Sequence, residues 1–383
     1  VLRGGAAMAF EDSYDGGGDT DTIVIDDDSI ADDSFFDLEE GFLKLAGGFN
    51  FEAWSNFENY NGGVRTGAET VFGTSGRNIF QGGSGVSIFD GREEDDTLLG
   101  FGGDDQLTGG AGDDNIDGGL GDDMLDGGAG TADIANYASA NGAVTIRLDN
   151  GVATGANGSD TLAGFENAIG SDNFNDIIFG SNGANEIDGR AGNDRINGLG
   201  GADDITGGLG DDQLFGFNLN DVISGGEGTD LLRGDAGADQ LDGGADNDRL
   251  FGGSGDDSLI GGEGADLLDG SGGQDFYQGD AGADRLSSRL DGVQDQFFFG
   301  VGTGADRIFR YEEDIDQIIV SNAFGFTDGQ DVIDNAVTAV INSGGDAIIT
   351  LNGSGDMIQI IDYVFLNPGK VIQDLADDIV ILF

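Results

Sequence analysis

The sequence predicts an all-β fold: a parallel β-roll in two blocks, with a β insert between them and a β-rich C-terminal cap. Three observations predict it. The chain repeats with a period of nine residues, each period carries one large apolar residue at a fixed place, and glycines and an aspartate stand at fixed places around it. The parts read as 1–72, an N-terminal β insert or the end of a preceding roll; 73–135, the first roll block; 136–170, the insert; 171–287, the second block; and 288–383, the cap.

Taken in order, the N-terminal stretches DTDTIVID and WSNFENYNGG have the texture of a β insert. Seven units then run over 73–135, the clearest being GGAGDDNID at 109–117 and GGLGDDMLD at 118–126. Asn78 and Ser87 stand where the carboxylate belongs and mark capping coils, and Glu94 stands where a glycine belongs. Residues 136–170 lose the phase and read as two short β segments, AVTIRLD and FENAIGS. Thirteen units follow over 171–287, and the sixth position is Asp in twelve of them, Asn185 being the exception. Beyond about residue 290 the runs QFFFGV, DQIIVS, DAIITL and DMIQII alternate and read as antiparallel strands.

One unit has simple physics. Glycines at the first, second and fourth positions allow positive φ and tight turns. The next residues form a very short strand whose central side chain, at the eighth position, points inward. Two units make one eighteen-residue coil, and stacked coils give two parallel sheets around a thin apolar core, about 30 Å long for thirteen units. So thin a core does not offset the entropy of so many glycines. The sixth-position carboxylates supply what is missing, because turns on one side stack eighteen residues apart. Each gap is then walled by carboxylates and backbone carbonyls, a hard oxygen cage that suits calcium better than magnesium. The candidate metal ligands are Asp96, Asp105, Asp114 and Asp123 in the first block. In the second block they are Asp176, Asp194, Asp203, Asp212, Asp221, Asp230, Asp239, Asp248, Asp257, Asp266, Asp275 and Asp284. Phe217 and Leu219 replace small residues in one turn and weaken the case for an ion beside Asp221.

Charge and composition agree. Against 74 Asp+Glu stand 15 Lys+Arg, a net charge of −59, which opposes compaction unless cations neutralise it. That charge also excludes nucleic acid as a partner. With no histidine and no cysteine there is no zinc, triad or imidazole chemistry, and this stretch is expected not to be an enzyme. No run is long enough for a transmembrane helix. The start VLRGGAAMAF lacks an initiator Met and a signal-peptide pattern, so the chain is expected to begin inside a longer polypeptide or after cleavage. Trp54, Phe57 and Tyr60 form either the core of the first insert or a sugar-stacking cluster.

The motif GGxGxDxUx, with U a large apolar residue, resembles the RTX calcium-binding nonapeptide, strongly over 73–135 and 171–287. The resemblance implies a right-handed roll, with calcium (on the order of ten ions) as cofactor. It implies ligands in two successive turns on one side: carbonyls at positions two and four with Asp six, then carbonyls at positions one and three with the next Asp six. One such site would use Gly208, Gly210 and Asp212 with Gly225, Glu227 and Asp230. Another would use Gly244, Asp246 and Asp248 with Gly261, Glu263 and Asp266. The segment around Asp306, Asp314 and Asp316 resembles the closing turn of such rolls, and the final ADDIVILF resembles an uncleaved type I secretion signal. Together these imply a secreted, extracellular chain that is disordered without calcium, meets the type I secretion machinery, and folds on export. Its role is then structural, in a surface layer, filament or adhesin that self-associates or meets cell-surface polysaccharide. The alternative is the export module of a secreted hydrolase or polysaccharide-active enzyme.

Overall fold

The computed structural model describes residues 59–63, 66–300, 302–312, 315–321 and 356–361. Outside these it describes the strands Met8–Glu11, Thr22–Ile25, Ser34–Asp37, Phe42–Leu45, Phe49–Glu52, Thr338–Ile341, Ala347–Thr350 and Ile379–Leu382. Every regular element among them is a β-strand. The chain forms two units, Val1–Ser181 with Asn185–Arg190, and Asn182–Ala184 with Ala191–Phe383.

The nine-residue period sets the fold of the second unit directly. A parallel ladder pairs each strand with the one eighteen residues on: Leu214 faces Leu232, which faces Leu250, which faces Leu268. On the opposite sheet Ile223, Leu241, Leu259 and Tyr277 are stacked in the same way. Because side chains alternate faces along a strand, this register keeps every eighth-position residue inside. From Ile196 to Leu286 all eleven of this unit are buried, at 1% exposure or less, as are Ile178 and Ile187 in the first unit. The strands outgrow the expected three residues. Gln213–Asn218 and Val222–Glu227 run on through the first three positions of the next unit, so the turn backbone also pairs, as in Gly226 with Gly244.

The parallel stack continues where the sequence pattern fades. Gln296–Phe299 pairs parallel with Phe276–Gly282, and Gln317–Ser321 parallel with Gln296–Phe299. Ala305–Phe309 pairs parallel with Arg285–Ser287. The expectation of antiparallel strands after residue 290 is therefore corrected for these runs. Among the described residues beyond 290, Thr338–Ile341, Ala347–Thr350 and Met357–Ile360 are the ones that form an antiparallel meander, whose last strand returns parallel to Ala305–Phe309. Ile379–Leu382 lies parallel to Gln317–Ser321.

In the first unit the insert is spliced into the stack. Asn167–Ile169 takes a coil position between Ile134–Asn136 and Glu186–Asp188. On the other sheet Gly158–Ala163 lies parallel to Met124–Gly128. Two antiparallel steps, through Val152–Gly155 to Val144–Arg147, then lead to parallel pairing with Ile177–Phe179. The sequence reading found two of these four insert strands. Tyr60 belongs to the core, 1% exposed and edge-on to Phe89, rather than to a sugar platform; Trp54 and Phe57 lie outside the described residues.

Candidate metal centres

The sixth-position aspartates sit at the turns, where a strand begins and backbone amides lack ladder partners. Each lends one carboxylate oxygen, Oδ1, to the amide of the matching aspartate one coil earlier. Asp212 receives the Asp194 amide at 2.7 Å, Asp230 that of Asp212 at 2.7 Å, and Asp248 that of Asp230 at 2.8 Å. The series runs on through Asp266 and Asp284. A second series joins Asp203, Asp221, Asp239, Asp257 and Asp275. In the first unit the Asn78 and Ser87 amides start two such series, through Asp96 to Asp114 and through Asp105 to Asp123.

The other oxygen is the notable one. Oδ2 of Asp96, Asp105, Asp114, Asp123, Asp212, Asp221, Asp230, Asp239, Asp248, Asp257, Asp266, Asp275 and Asp284 is buried and accepts no hydrogen bond. A buried charged oxygen without a partner is costly, so each of these oxygens calls for a proton or a cation. The acidity of the group reports that cost. Burial pushes Asp96, Asp105 and Asp284 up to about 8, and Asp212, Asp221, Asp248 and Asp257 to about 7, with neighbouring carboxylates adding to the rise.

The first-position glycine makes this arrangement possible, for a different reason from the one expected. It lacks positive φ; positions two and four supply that, as in Gly244 (φ 102°) and Asp246 (φ 77°). What it supplies is room. A Cβ on Gly243 would stand 2.5 Å from Asp248 Oδ2 and 2.6 Å from the Gly261 carbonyl. On Gly261 it would stand 2.5 Å from Asp266 Oδ2 and 2.7 Å from the Gly279 carbonyl. A carboxylate oxygen and the carbonyl of the next coil thus converge on one small space.

Of the two expected ligand sets, the structure brings together Asp248 with Gly261, and Asp212 with Gly225 beside Gly207. The carbonyls of Gly208, Gly210 and Gly244 point across to positions two or four of the next coil, against Gly226, Gly228 and Gly262, and that of Asp246 against Gly264. The Glu227 carbonyl accepts the Gly210 amide at 2.7 Å, while Glu263 pairs with Ala245. Phe217 and Leu219 adopt φ of 77° and 70°, so their turn keeps the common backbone and Asp221 keeps the common geometry. Asp176 differs from the rest: its Oδ2 receives both the amide (2.6 Å) and the hydroxyl (2.8 Å) of Ser171. Among the described residues no three acidic side chains gather on one point, so a cation here draws on carbonyls as well as carboxylates.

The series has further members: Asp306 and Asp316, which the sequence places in a closing turn, and Asp133, Asp160 and Asp295, which its strict period does not reach. Asp133 and Asp160 extend the first unit's series, accepting the amides of Asp114 and Asp123. Asp295 accepts that of Asp275, Asp306 that of Asp284, and Asp316 that of Asp295. Their spacings are 19, 37, 20, 22 and 21 residues, which a strict eighteen-residue coil search does not find. Asp314 lies outside the described residues.

A second series was also hidden. Fifth-position Asp and Asn side chains accept the amide one coil later, the reverse sense, as Asp211 does from Thr229 (2.9 Å) and Asn247 from Ala265 (2.7 Å). These side chains are exposed and hydrogen-bonded, a structural role distinct from that of position six.

Compared with known families, the chain matches the RTX calcium-binding nonapeptide repeat (4 copies) at residues 65–98, 99–132, 171–205, 179–214, 215–250 and 251–286. No curated protein matches it.

Proposed function

Because this chain carries RTX calcium-binding nonapeptide repeats folded as a parallel β-roll, we propose that it is the calcium-dependent structural and export module of a secreted protein. The observation that carries this reading is the row of buried Oδ2 atoms without hydrogen-bond partners. Asp212, Asp230, Asp248 and Asp266, with carbonyls such as that of Gly261, would hold calcium, which supplies positive charge between like-charged coils. The chain's own residues do the rest. Oδ1 fixes each carboxylate to the amide one coil earlier, and the eighth-position side chains close the core.

Without cations a charge of −59 and a thin core leave the chain extended, a form suited to threading a type I secretion channel. Millimolar calcium outside the cell then sets where folding happens. The last strand, within ADDIVILF, is the candidate export signal, and a surface layer, filament or adhesin is the setting in which such a roll serves as structure. Circular dichroism before and after EGTA tests the reading. Loss of the β signal on chelation and its return with calcium are expected; an unchanged β signal sinks it. Electron microscopy with and without calcium reports any lattice or filament.

A further inference from the structure

The insert interrupts the nonapeptide phase, and the repeat match stops at residue 132. In strict phase the sixth position of the last unit before it is Ala132, which has no ligand to offer. The structure slips by one residue. Ala135, not Ile134, fills the core at 0% exposure, and Asp133 takes the carboxylate's place with its Oδ1 on the Asp114 amide at 2.8 Å.

Asp133 is itself 0% exposed, and its Oδ2 has no hydrogen-bond partner. The insert then supplies what the next coil supplies elsewhere. A Cβ on Gly127 would stand 2.5 Å from the Gly164 carbonyl and 2.7 Å and 2.9 Å from Asp133 Cβ and Cγ, so the carbonyl and the Asp133 side chain border one small space. Glu166 Oε2 accepts the Asp133 amide at 3.1 Å, as the next aspartate does in regular coils. Nearby carboxylates are treated otherwise. Asp160 Oδ2 receives the Tyr137 hydroxyl at 2.8 Å, and Asp176 Oδ2 is closed by Ser171. Side-chain hydroxyls close those two carboxylates, whereas Asp133 Oδ2 meets none and its carboxylate is approached by the Gly130 backbone.

We propose that Asp133, Glu166 and the Gly164 carbonyl form a calcium site where the insert joins the roll, outside the recognisable repeats. It rests on the reading of the roll as calcium-binding, and it makes the insert a ligand-bearing part of the array. Native mass spectrometry of the full chain in saturating calcium, with circular dichroism to confirm folding, tests it. Asp133→Asn and, because Glu166 is half-exposed and its amide isostere is mild, Glu166→Gln should each bind one ion fewer than the wild type or lose about tenfold or more in affinity for one ion. Variants that fold and bind as many ions, equally tightly, overturn the site. A wild type that binds no calcium overturns the underlying reading instead, so the two failures are distinguishable.

Discussion

At the scale of single residues, the turn divides its labour among neighbours that look alike in sequence. Glycine at positions two and four answers a backbone demand, yet Phe217, Asp235 and Ser271 meet that demand at position two with φ near 70–77°. Glycine at position one leaves room beside the carboxylate; where Ser171 takes that place, its hydroxyl closes Asp176 Oδ2 instead. Gly243→Ala should therefore weaken calcium binding more than Gly244→Ser does, by calcium titration, while both cost about 1–3 kcal/mol in denaturant unfolding, because a Cβ on Gly244 would itself stand 2.2 Å from the Gly226 carbonyl. Equal losses of calcium affinity would show that the space beside Gly243 does not matter to the ion. The motif made Asp six legible as a candidate ligand, because a carboxylate repeated at one place calls for a cation. It did not separate the two kinds of glycine, and it left position five as a variable residue. The signal at position five was present in the frequent Asp and Asn, but an exposed acidic residue in so acidic a chain carries little information on its own.

At the scale of the coil, stability comes from nearest neighbours, since each coil touches only those above and below. Leu232 lies between Leu214 and Leu250 with no exposure. Leu232→Ala should cost about 2–5 kcal/mol, measured by thermal or denaturant unfolding with calcium present. A loss under about 1 kcal/mol would mean that the core is slack there. The regular coils were legible because period and burial coincide at position eight. The irregular ones were not. Asp295, Asp306 and Asp316 keep their place while their loops grow by two to four residues. Alternation in QFFF and QIIV shows a strand but does not give its direction. A parallel neighbour follows from the coil path, which those longer loops conceal.

At the scale of the whole molecule, the proposed function makes folding depend on charge. The turn carboxyls have folded pKa values raised by burial to about 6–8 against an ordinary value near 4. The folded state therefore binds more protons than the unfolded chain between those values. Without cations its stability is greatest below about pH 4 and is lost as pH rises through 6–8. In EGTA, lowering the pH from 8 to 5 should thus increase the β signal, and a signal that falls on acidification contradicts this account of the carboxyls. On the proposed reading calcium removes the penalty at neutral pH by another route, so the two treatments should substitute for one another in part. The most direct test of the central claim, that the inward carboxylate oxygens hold calcium and so permit the fold, is a calcium titration of the chelated chain at pH 7.5 that follows bound ions and far-UV dichroism together. The account predicts cooperative uptake on the order of ten ions, with the β signal rising in step. Full β structure reached with no calcium bound would contradict it.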